Sequence, residues 1–269
     1  MKPFAEVIGD PIAHSKSPLI HRFWLDALGM DQDYRATHVR SEQLAEYFEA
    51  RGSDPAWRGC NITVPHKERA LDHVPDPGGV RASIGAINTV FRDEAGAIAG
   101  TNTDAAGFWS PISALDLAGK PVAVIGAGGA ARAVLFALSR MGVGPVTILN
   151  RTPLKAAGLL ASFGLKGQVT ALDAKLPAVP LLINASTLGM VGQPPLRLDI
   201  SPLPADAVVY DLVYAPLQTE LLQAAESRDL DTIDGLEMLI GQAALAFELF
   251  FGVEPPRDRD DELRILLTA

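Results

Sequence analysis

The ten residues Val122-Ala123-Val124-Ile125-Gly126-Ala127-Gly128-Gly129-Ala130-Ala131 constrain this chain more than any other stretch. Four apolar residues, three of them β-branched, spell a short strand buried on both faces. Glycines then break it, and Ala130 to Met141 continues with helical spacing. Strand, G-x-G-x-x-A turn and helix, in that order, form the opening of a dinucleotide-binding βαβ unit. Gly126 permits the tight turn, Gly128 lets the backbone approach a pyrophosphate, and Ala131 keeps helix and strand close. The helix start offers unpaired N–H groups to the anion. Gly126, Ala127, Gly128, Gly129 and Ala130 are therefore the candidate cofactor turn. The alternative is a glycine-rich turn that packs a helix on a sheet and holds nothing.

The next strand sharpens the choice of cofactor. An Asp or Glu about 20 residues past the glycines takes the ribose 2′-hydroxyl of NAD. Here the strand Val146–Leu149 runs into Asn150-Arg151-Thr152, with Lys155 one turn on and no acid in that place. A guanidinium matches phosphate oxygens bidentately, so Asn150, Arg151, Thr152 and Lys155 suit the 2′-phosphate of NADP. A merely solvated Arg151 is the competing reading.

Around this unit the chain alternates strands and helices. Strands are expected at Phe4–Ile8, Tyr34–Val39, Gly59–Val64 and Ala86–Phe91, with helices at Pro18–Leu28, Ser41–Arg51 and His66–His73. A second α/β series starts at Pro121–Ile125 and adds strands at Val146–Leu149, Leu181–Asn184 and Val208–Leu212. Its near-continuous apolar strands predict a parallel sheet covered on both faces. The join falls near Asn102–Gly119, where Thr103 or Asp104 caps a helix. A last helix, Leu236–Phe251, has an apolar face whose partner periodicity does not identify.

Composition narrows the function classes. At 269 residues the chain is long enough for two α/β units, and 48% hydrophobic residues can fill their cores. A net charge of −9 argues against nucleic acid and anionic membrane as partners. The start of the chain lacks the apolar run of a signal peptide, and Pro121–Leu138 is interrupted by Arg132, so a soluble, cytoplasmic protein is expected. A single cysteine, Cys60, excludes an internal disulfide and fits a reducing compartment. It reads as a buried core thiol. The five histidines show no metal-ligand spacing, so no metal is expected.

In the first unit, Lys67 follows Asn61-Ile62-Thr63-Val64-Pro65-His66, and Asp104 follows Asn102-Thr103. By spacing alone each is either a solvated or capping charge or part of an acid/base pair. Ser15 and Ser17 flank Lys16 before Pro18, as a helix N-cap with proline in the first turn would, and such a place also suits a carboxylate.

These residues, with Gly9–Pro18, Gly85-Ala86-Ile87-Asn88-Thr89 and Gly241-Gln242-Ala243-Ala244, occur in the order seen in the shikimate dehydrogenase family. The resemblance runs from about residue 6 to about residue 250. It implies a substrate-binding domain of residues 1–104 plus 236–269, to which the C-terminal helix returns, and a Rossmann-type NADP-binding domain of residues 105–235. It implies reversible reduction of 3-dehydroshikimate to shikimate on the route to chorismate and the aromatic amino acids, in a cleft between the domains. Ser15 and Ser17 would hold the carboxylate, Thr63, Asn88 and Gln242 would contact hydroxyls, and Tyr214 of Asp211-x-x-Tyr214-x-Pro216 would lie near the substrate. Lys67 and Asp104 would work at the reacting hydroxyl, while Val213 and Gly235 would join the cofactor residues. Monomer and homodimer both remain open.

Two positions depart from the family's pattern. Asp234-Gly235-Leu236-Glu237 carries an acid where Asp-Gly-x-Gly is usual, and Ala215 replaces a commoner polar residue. Quinate dehydrogenase is the nearest alternative; relatives that accept quinate often carry Thr at the position of Ser17. A silent NADP-binding regulator is the alternative from another class. It would have no need of the Lys67 and Asp104 pair.

Overall fold

The computed structural model describes residues 2–268 and divides into two compact units. One takes in the chain through Thr103 and again from Ile240 on; the other is Asp104–Leu239.

In the first unit the chain runs β1 (Phe4–Gly9), α1 (Ser17–Ala27), β2 (Asp33–His38), α2 (Leu44–Gly52), β3 (Trp57–Ile62), α3 (Val80–Ser83), β4 (Thr89–Arg92) and β5 (Ile98–Thr101). The sheet order is β2-β1-β3-β4-β5. β1 pairs in parallel with β2 and β3, whereas β3–β4 and β4–β5 are antiparallel. β5 is not foreshadowed by an apolar run. It forms because Asp93 accepts from the amides of Ala95 and Ala97 and Gly96 takes a left-handed turn, which folds β4 back on itself.

Two local expectations are corrected. The helix expected at His66–His73 is a single 3-10 turn, Arg69–Asp72, because Ala70 is the one residue of that segment's C-terminal half that is buried. Ser17 does not cap α1 but begins it. Lys16 is the N-cap, with no side-chain cap bond, and Pro18 sits in the first turn.

The second unit opens with α4 (Asp104–Trp109) and continues β6 (Val122–Ile125), α5 (Gly129–Arg140), β7 (Val146–Asn150), α6 (Pro153–Ala156), α7 (Leu159–Ser162), β8 (Gly167–Ala171), β9 (Leu181–Asn184), β10 (Val208–Asp211), α8 (Glu220–Glu226) and β11 (Asp231–Ile233). Its sheet is wholly parallel in the order β11-β10-β9-β6-β7-β8. This is the doubly wound, Rossmann-type order, reversing direction between β6 and β9. Alternate strand residues feed opposite faces. Val122, Val124, Ile148, Leu181 and Ile183 pack with Val134, Leu135 and Leu138 of α5. Ala123, Ile125, Leu149, Leu182 and Val209 pack with Leu221, Leu222 and Ala225 of α8. β8 and β11 were not evident as strands because, as sheet edges, they are partly or fully exposed and need no apolar run.

The boundary between units falls inside α9 (Gly235–Phe251), after Leu239. Its later turns belong to the first unit, where Phe247 and Phe250 pack around His21, Trp24 and Tyr34. The ring of Phe250 lies so close to β3 that a Cβ on Gly59 would come within 2.5 Å of it. The last element among the described residues is α10 (Asp260–Thr268), whose Leu263 and Leu267 are buried. Among the described residues no helix is long and apolar enough to cross a membrane.

His21 is fully buried, stacked on Tyr34 with ring centroids 3.9 Å apart. Burial lowers its pKa from 6.5 to about 3, against a small opposing contribution from Asn61. The unfolded chain therefore takes up this proton first as pH falls, so the stability His21 contributes is complete above about pH 6.5 and drains away toward pH 3. Between pH 7 and pH 5 the wild type should lose about 2 kcal/mol more unfolding free energy than His21→Phe, which keeps the stacked ring without the titrating nitrogens. Urea titrations at the two pH values measure this; equal losses in both proteins refute it.

Candidate active site

Two glycines at the end of β6 are required for different reasons. Gly126 has φ +111°, and a Cβ there would meet the Ala185 carbonyl oxygen at 2.8 Å. Its N–H donates to Leu149 O at 2.9 Å, and Ala185 N donates to Ile125 O at 2.8 Å. The turn is thus pinned between β7 and β9, at the point where strand order reverses. Gly128 is different: its backbone is extended (φ −95°, ψ −170°), and a Cβ would meet nothing within 4 Å. Neither backbone strain nor protein packing demands glycine at this position. Open space at the N-cap of the twelve-residue α5 is what a pyrophosphate needs. Ala127 is buried, Gly129 and Ala130 are half-buried at the helix start, and Ala131 is fully buried against the sheet.

The end of β7 lies on the same sheet edge. Asn150 Nδ2 donates to Thr152 O at 2.8 Å and closes the turn, after which Lys155 N donates to Thr152 O at 2.9 Å. Arg151, Thr152 and Lys155 are exposed there, and Asn150 is half-buried. A dianionic 2′-phosphate fits two exposed cations and a hydroxyl on the rim better than it fits a buried pocket, since their hydration is retained until it binds.

Beyond β10 the chain is organised by Asp211, which is fully buried. Its Oδ1 accepts from Asn184 Nδ2 at 2.8 Å and Val213 N at 3.0 Å, and its Oδ2 from Thr219 Oγ1 at 2.7 Å. Burial raises this carboxyl above the usual range while the three donors pull the other way. They fix the path of Leu212 and Val213. A Cβ on Gly235 would lie 2.5 Å from Leu212 O, so Gly235 brings the start of α9 against Val213. Asp234 Oδ1 accepts from Leu236 N at 2.9 Å, and Glu237 is exposed in the first turn. Tyr214 is half-buried, with its phenol pushed upward by burial.

In the first unit two of the candidate substrate residues, Asn88 and Gln242, share one polar cluster with Thr103. Thr103 N donates to Asn88 Oδ1 at 2.7 Å, which orients the amide. Asn88 Nδ2 then donates to Thr103 Oγ1 at 2.9 Å and Gln242 Oε1 at 3.4 Å. Behind them Tyr34 OH donates to Asn61 Oδ1 at 2.6 Å, Asn61 Nδ2 to Thr89 Oγ1 at 3.1 Å, and Thr89 Oγ1 to Asn88 Oδ1 at 3.0 Å. Lys67, half-buried, is tied to the segment that leads into β4 by its carbonyl, which accepts from Ile87 N at 2.8 Å. Thr63 is half-buried at the end of β3. Ser15 Oγ accepts from Ser17 N at 3.3 Å, and Ser17 is buried. Asp104, 3% exposed, is the first residue of α4 in the second unit.

Asn61, Thr89 and Tyr34 were not singled out as functional from the sequence. The available signal was a polar residue at a buried position of a strand, Asn61 in β3 and Thr89 in β4; Tyr34 in β2 carries no such mark. Cys60 is fully buried beside them, and burial pushes its thiol well above the ordinary range. Among the described residues no group of three His, Cys, Asp or Glu side chains is placed to hold a metal ion.

Comparison with known proteins gives a consistent result. The family model described as the shikimate dehydrogenase substrate binding domain matches residues 7–90, that of shikimate / quinate 5-dehydrogenase residues 111–187, and that of the shikimate 5′-dehydrogenase C-terminal domain residues 235–260. A shikimate dehydrogenase (NADP(+)) from Sphingopyxis alaskensis is 70% identical over 99% of this chain and 97% of its own. The crystal structure of shikimate 5-dehydrogenase from Thermus thermophilus, in complex with NADP(H) and shikimate, superposes with a TM-score of 0.85 at 40% identity, covering 99% of this chain and 100% of that one. A ligand-free 5-ketofructose reductase from Gluconobacter superposes equally well, with a TM-score of 0.86 at 29% identity over 99% of both chains.

The two glycines of the turn are separable by mutation. Gly128→Ser places a favourable N-cap in open space, so unfolding free energy should stay within about 0.5 kcal/mol of wild type or rise. Affinity for NADP should fall by at least about tenfold, because the side chain occupies the pyrophosphate's room. Calorimetric titration with NADP alongside urea unfolding checks both; unchanged affinity refutes the assignment of that space.

Proposed function

This chain belongs to the shikimate dehydrogenase family, and we propose that it catalyses the reversible, NADP-dependent reduction of 3-dehydroshikimate to shikimate. The observation that carries the reading is the Asn88–Thr103–Gln242 cluster: neutral donors and acceptors, held rigid by a backbone amide and suited to a polyhydroxylated ring. Ser15 and Ser17 take the substrate carboxylate at the start of α1, where helix N–H groups add a favourable dipole. Thr63, Asn88 and Gln242 bind ring hydroxyls, and Tyr214 lies against the substrate. Gly126, Ala127, Gly128, Gly129 and Ala130 hold the pyrophosphate. Asn150, Arg151, Thr152 and Lys155 hold the adenosine end, and Val213 and Gly235 the nicotinamide end.

When bound, NADPH supplies the hydride. The protein's part is the proton. As the C3 carbonyl carbon gains hydride, its oxygen gains negative charge and needs a proton, which Lys67 donates to give the hydroxyl. In the oxidation Lys67 takes that proton back. Asp104 orients Lys67 and the hydroxyl. A positioned acid/base of this kind contributes about 10²–10⁴-fold. The single buried thiol Cys60 supports assignment to the reducing cytoplasm.

The test is direct: purified protein with shikimate or quinate and NADP or NAD, followed by absorbance of the reduced cofactor. Shikimate with NADP should be the preferred pair, and no reduction with that pair by folded protein refutes the proposal. Lys67→Ala should lower kcat by at least about 100-fold with KM for shikimate little changed. A near-normal kcat removes Lys67 from the mechanism. Arg151→Ala should raise KM for NADP about tenfold while leaving KM for NAD unchanged, through loss of a phosphate partner. Equal shifts for both cofactors would overturn the role given to Arg151.

A further inference from the structure

Lys16 stands between the two serines of the carboxylate loop, yet its side chain is committed elsewhere. Its Nζ donates to the carbonyl oxygen of Leu267 in α10, 251 residues further along the chain. The last four carbonyls of a helix have no partner within it, and they carry the negative end of its dipole. In α10 Thr268 Oγ1 already covers the carbonyls of Arg264 and Ile265. Leu267 O is covered by Lys16.

The main chain of Lys16 is fixed as well. It is the N-cap of α1, and its carbonyl accepts from Leu19 N and Ile20 N, both at 3.1 Å. Ser15 Oγ, on one side, accepts from Ser17 N on the other. The three residues therefore form one small turn with its backbone held by α1 and its central side chain held by α10. α10 is itself anchored by the buried Leu263 and Leu267, and Arg259 at its approach lies over the ring of Phe23 in α1, 5.0 Å from the centroid.

We propose that Lys16 is a positioning residue. By tying the Ser15-Lys16-Ser17 turn to the carboxyl end of α10, it holds both serine hydroxyls in the geometry that grips the substrate carboxylate. The proposal rests on the reading of Ser15 and Ser17 as the carboxylate site and extends it to a helix at the far end of the chain. Lys16 acts here through α10 and not as a carboxylate ligand, since the contact its ammonium makes is with the Leu267 carbonyl. Three consequences distinguish this from a stabilising contact. The effect falls on substrate affinity and not on turnover, it depends on the carboxylate, and it follows from loosening α10 as well as from changing Lys16.

Steady-state kinetics on the full chain tests it. Lys16→Met should raise KM for shikimate about tenfold, with kcat and KM for NADP within about twofold of wild type. Lys16→Arg, which still reaches a carbonyl, should recover most of the loss. Leu263→Ala, which loosens α10 without touching the loop, should raise KM for shikimate in the same direction. With the methyl ester of shikimate, Lys16→Met and wild type should differ by less than about twofold, because the group being gripped is no longer charged. An unchanged KM in Lys16→Met overturns the proposal, as does an equal loss on acid and ester. Ser15→Ala separates it from its premise. If Ser15→Ala leaves KM for shikimate unaltered, the carboxylate site itself is misplaced and the proposal falls with it. A raised KM in Ser15→Ala beside an unchanged one in Lys16→Met overturns the proposal alone.

Discussion

A single backbone amide decides the polarity of the first unit's interior. The N–H of Thr103 can only donate, and it donates to Asn88 Oδ1 at 2.7 Å. That contact fixes which end of the Asn88 amide is oxygen, and hence that Nδ2 faces Gln242 Oε1. Thr89 must then donate to Asn88, accept from Asn61, and leave Asn61 Oδ1 to the Tyr34 phenol. Burial pushes that phenol well above its ordinary pKa, so it remains a donor. Reversing any member would oppose donor to donor in a buried site, at a cost of about 1–3 kcal/mol for each unsatisfied group. A substrate with several hydroxyls bound there, as proposed, would meet an array whose donor and acceptor directions were settled by folding.

The second unit applies the same economy to space instead of hydrogen-bond direction. Gly126 and Gly235 are glycine because protein backbone passes within 3 Å of where their Cβ atoms would be. Gly128 is glycine although the protein leaves room for a side chain. The first two build the sheet edge and bring Val213 to it, and the third keeps that edge clear. Sequence spacing alone presents Gly126 and Gly128 as members of one motif; only the packing distinguishes a glycine that the turn requires from one that the protein's own packing does not.

Much of the architecture could be read beforehand because it is periodic. The buried strands Val122–Ile125, Leu181–Asn184 and Val208–Asp211 are continuous apolar runs, and a parallel sheet covered on both faces leaves that signature. What escaped was set by tertiary context. β5 exists through a hairpin turn at Asp93, and β8 and β11 exist as edges that need little burial. The segment at His66–His73 carries helical spacing but buries only His66 and Ala70, too little apolar surface to hold more than a 3-10 turn. Asn61 and Thr89 look like interruptions of apolar strands until the cross-strand partner of each is known, and register is a property of the sheet and not of either strand. NADP over NAD was legible for the opposite reason. The residue that would discriminate sits at a fixed offset from the glycines, so a local reading of Asn150-Arg151-Thr152 suffices.

A chain of net charge −9 that binds two anionic small molecules needs local donors, and their chemical type matters. Glu6 shows what a buried full charge demands here: Arg51 Nε at 2.6 Å, Tyr47 OH at 2.9 Å, the hydroxyl of Thr37, and a second guanidinium, Arg35, at 3.9 Å. A carboxylate so enclosed is permanently committed, because removing any partner leaves an uncompensated buried charge. The residues assigned to the ligands are mostly of another type: hydroxyls at Ser15, Ser17 and Thr63, amides at Asn88 and Gln242, and helix-start N–H groups at Gly128–Ala130. Neutral dipoles of fixed direction stabilise an anion without requiring a counter-ion when it leaves. The cations proposed for NADP, Arg151 and Lys155, are exposed and therefore hydrated in the ligand's absence. An enzyme that must release both an anionic product and an anionic cofactor in every cycle is served by this division. Apart from the proposed Lys67 and Asp104 pair, the full charges are either enclosed in the core, as at Glu6, or left in water at the rim, as at Arg151 and Lys155, and oriented neutral donors make up the rest of the proposed site.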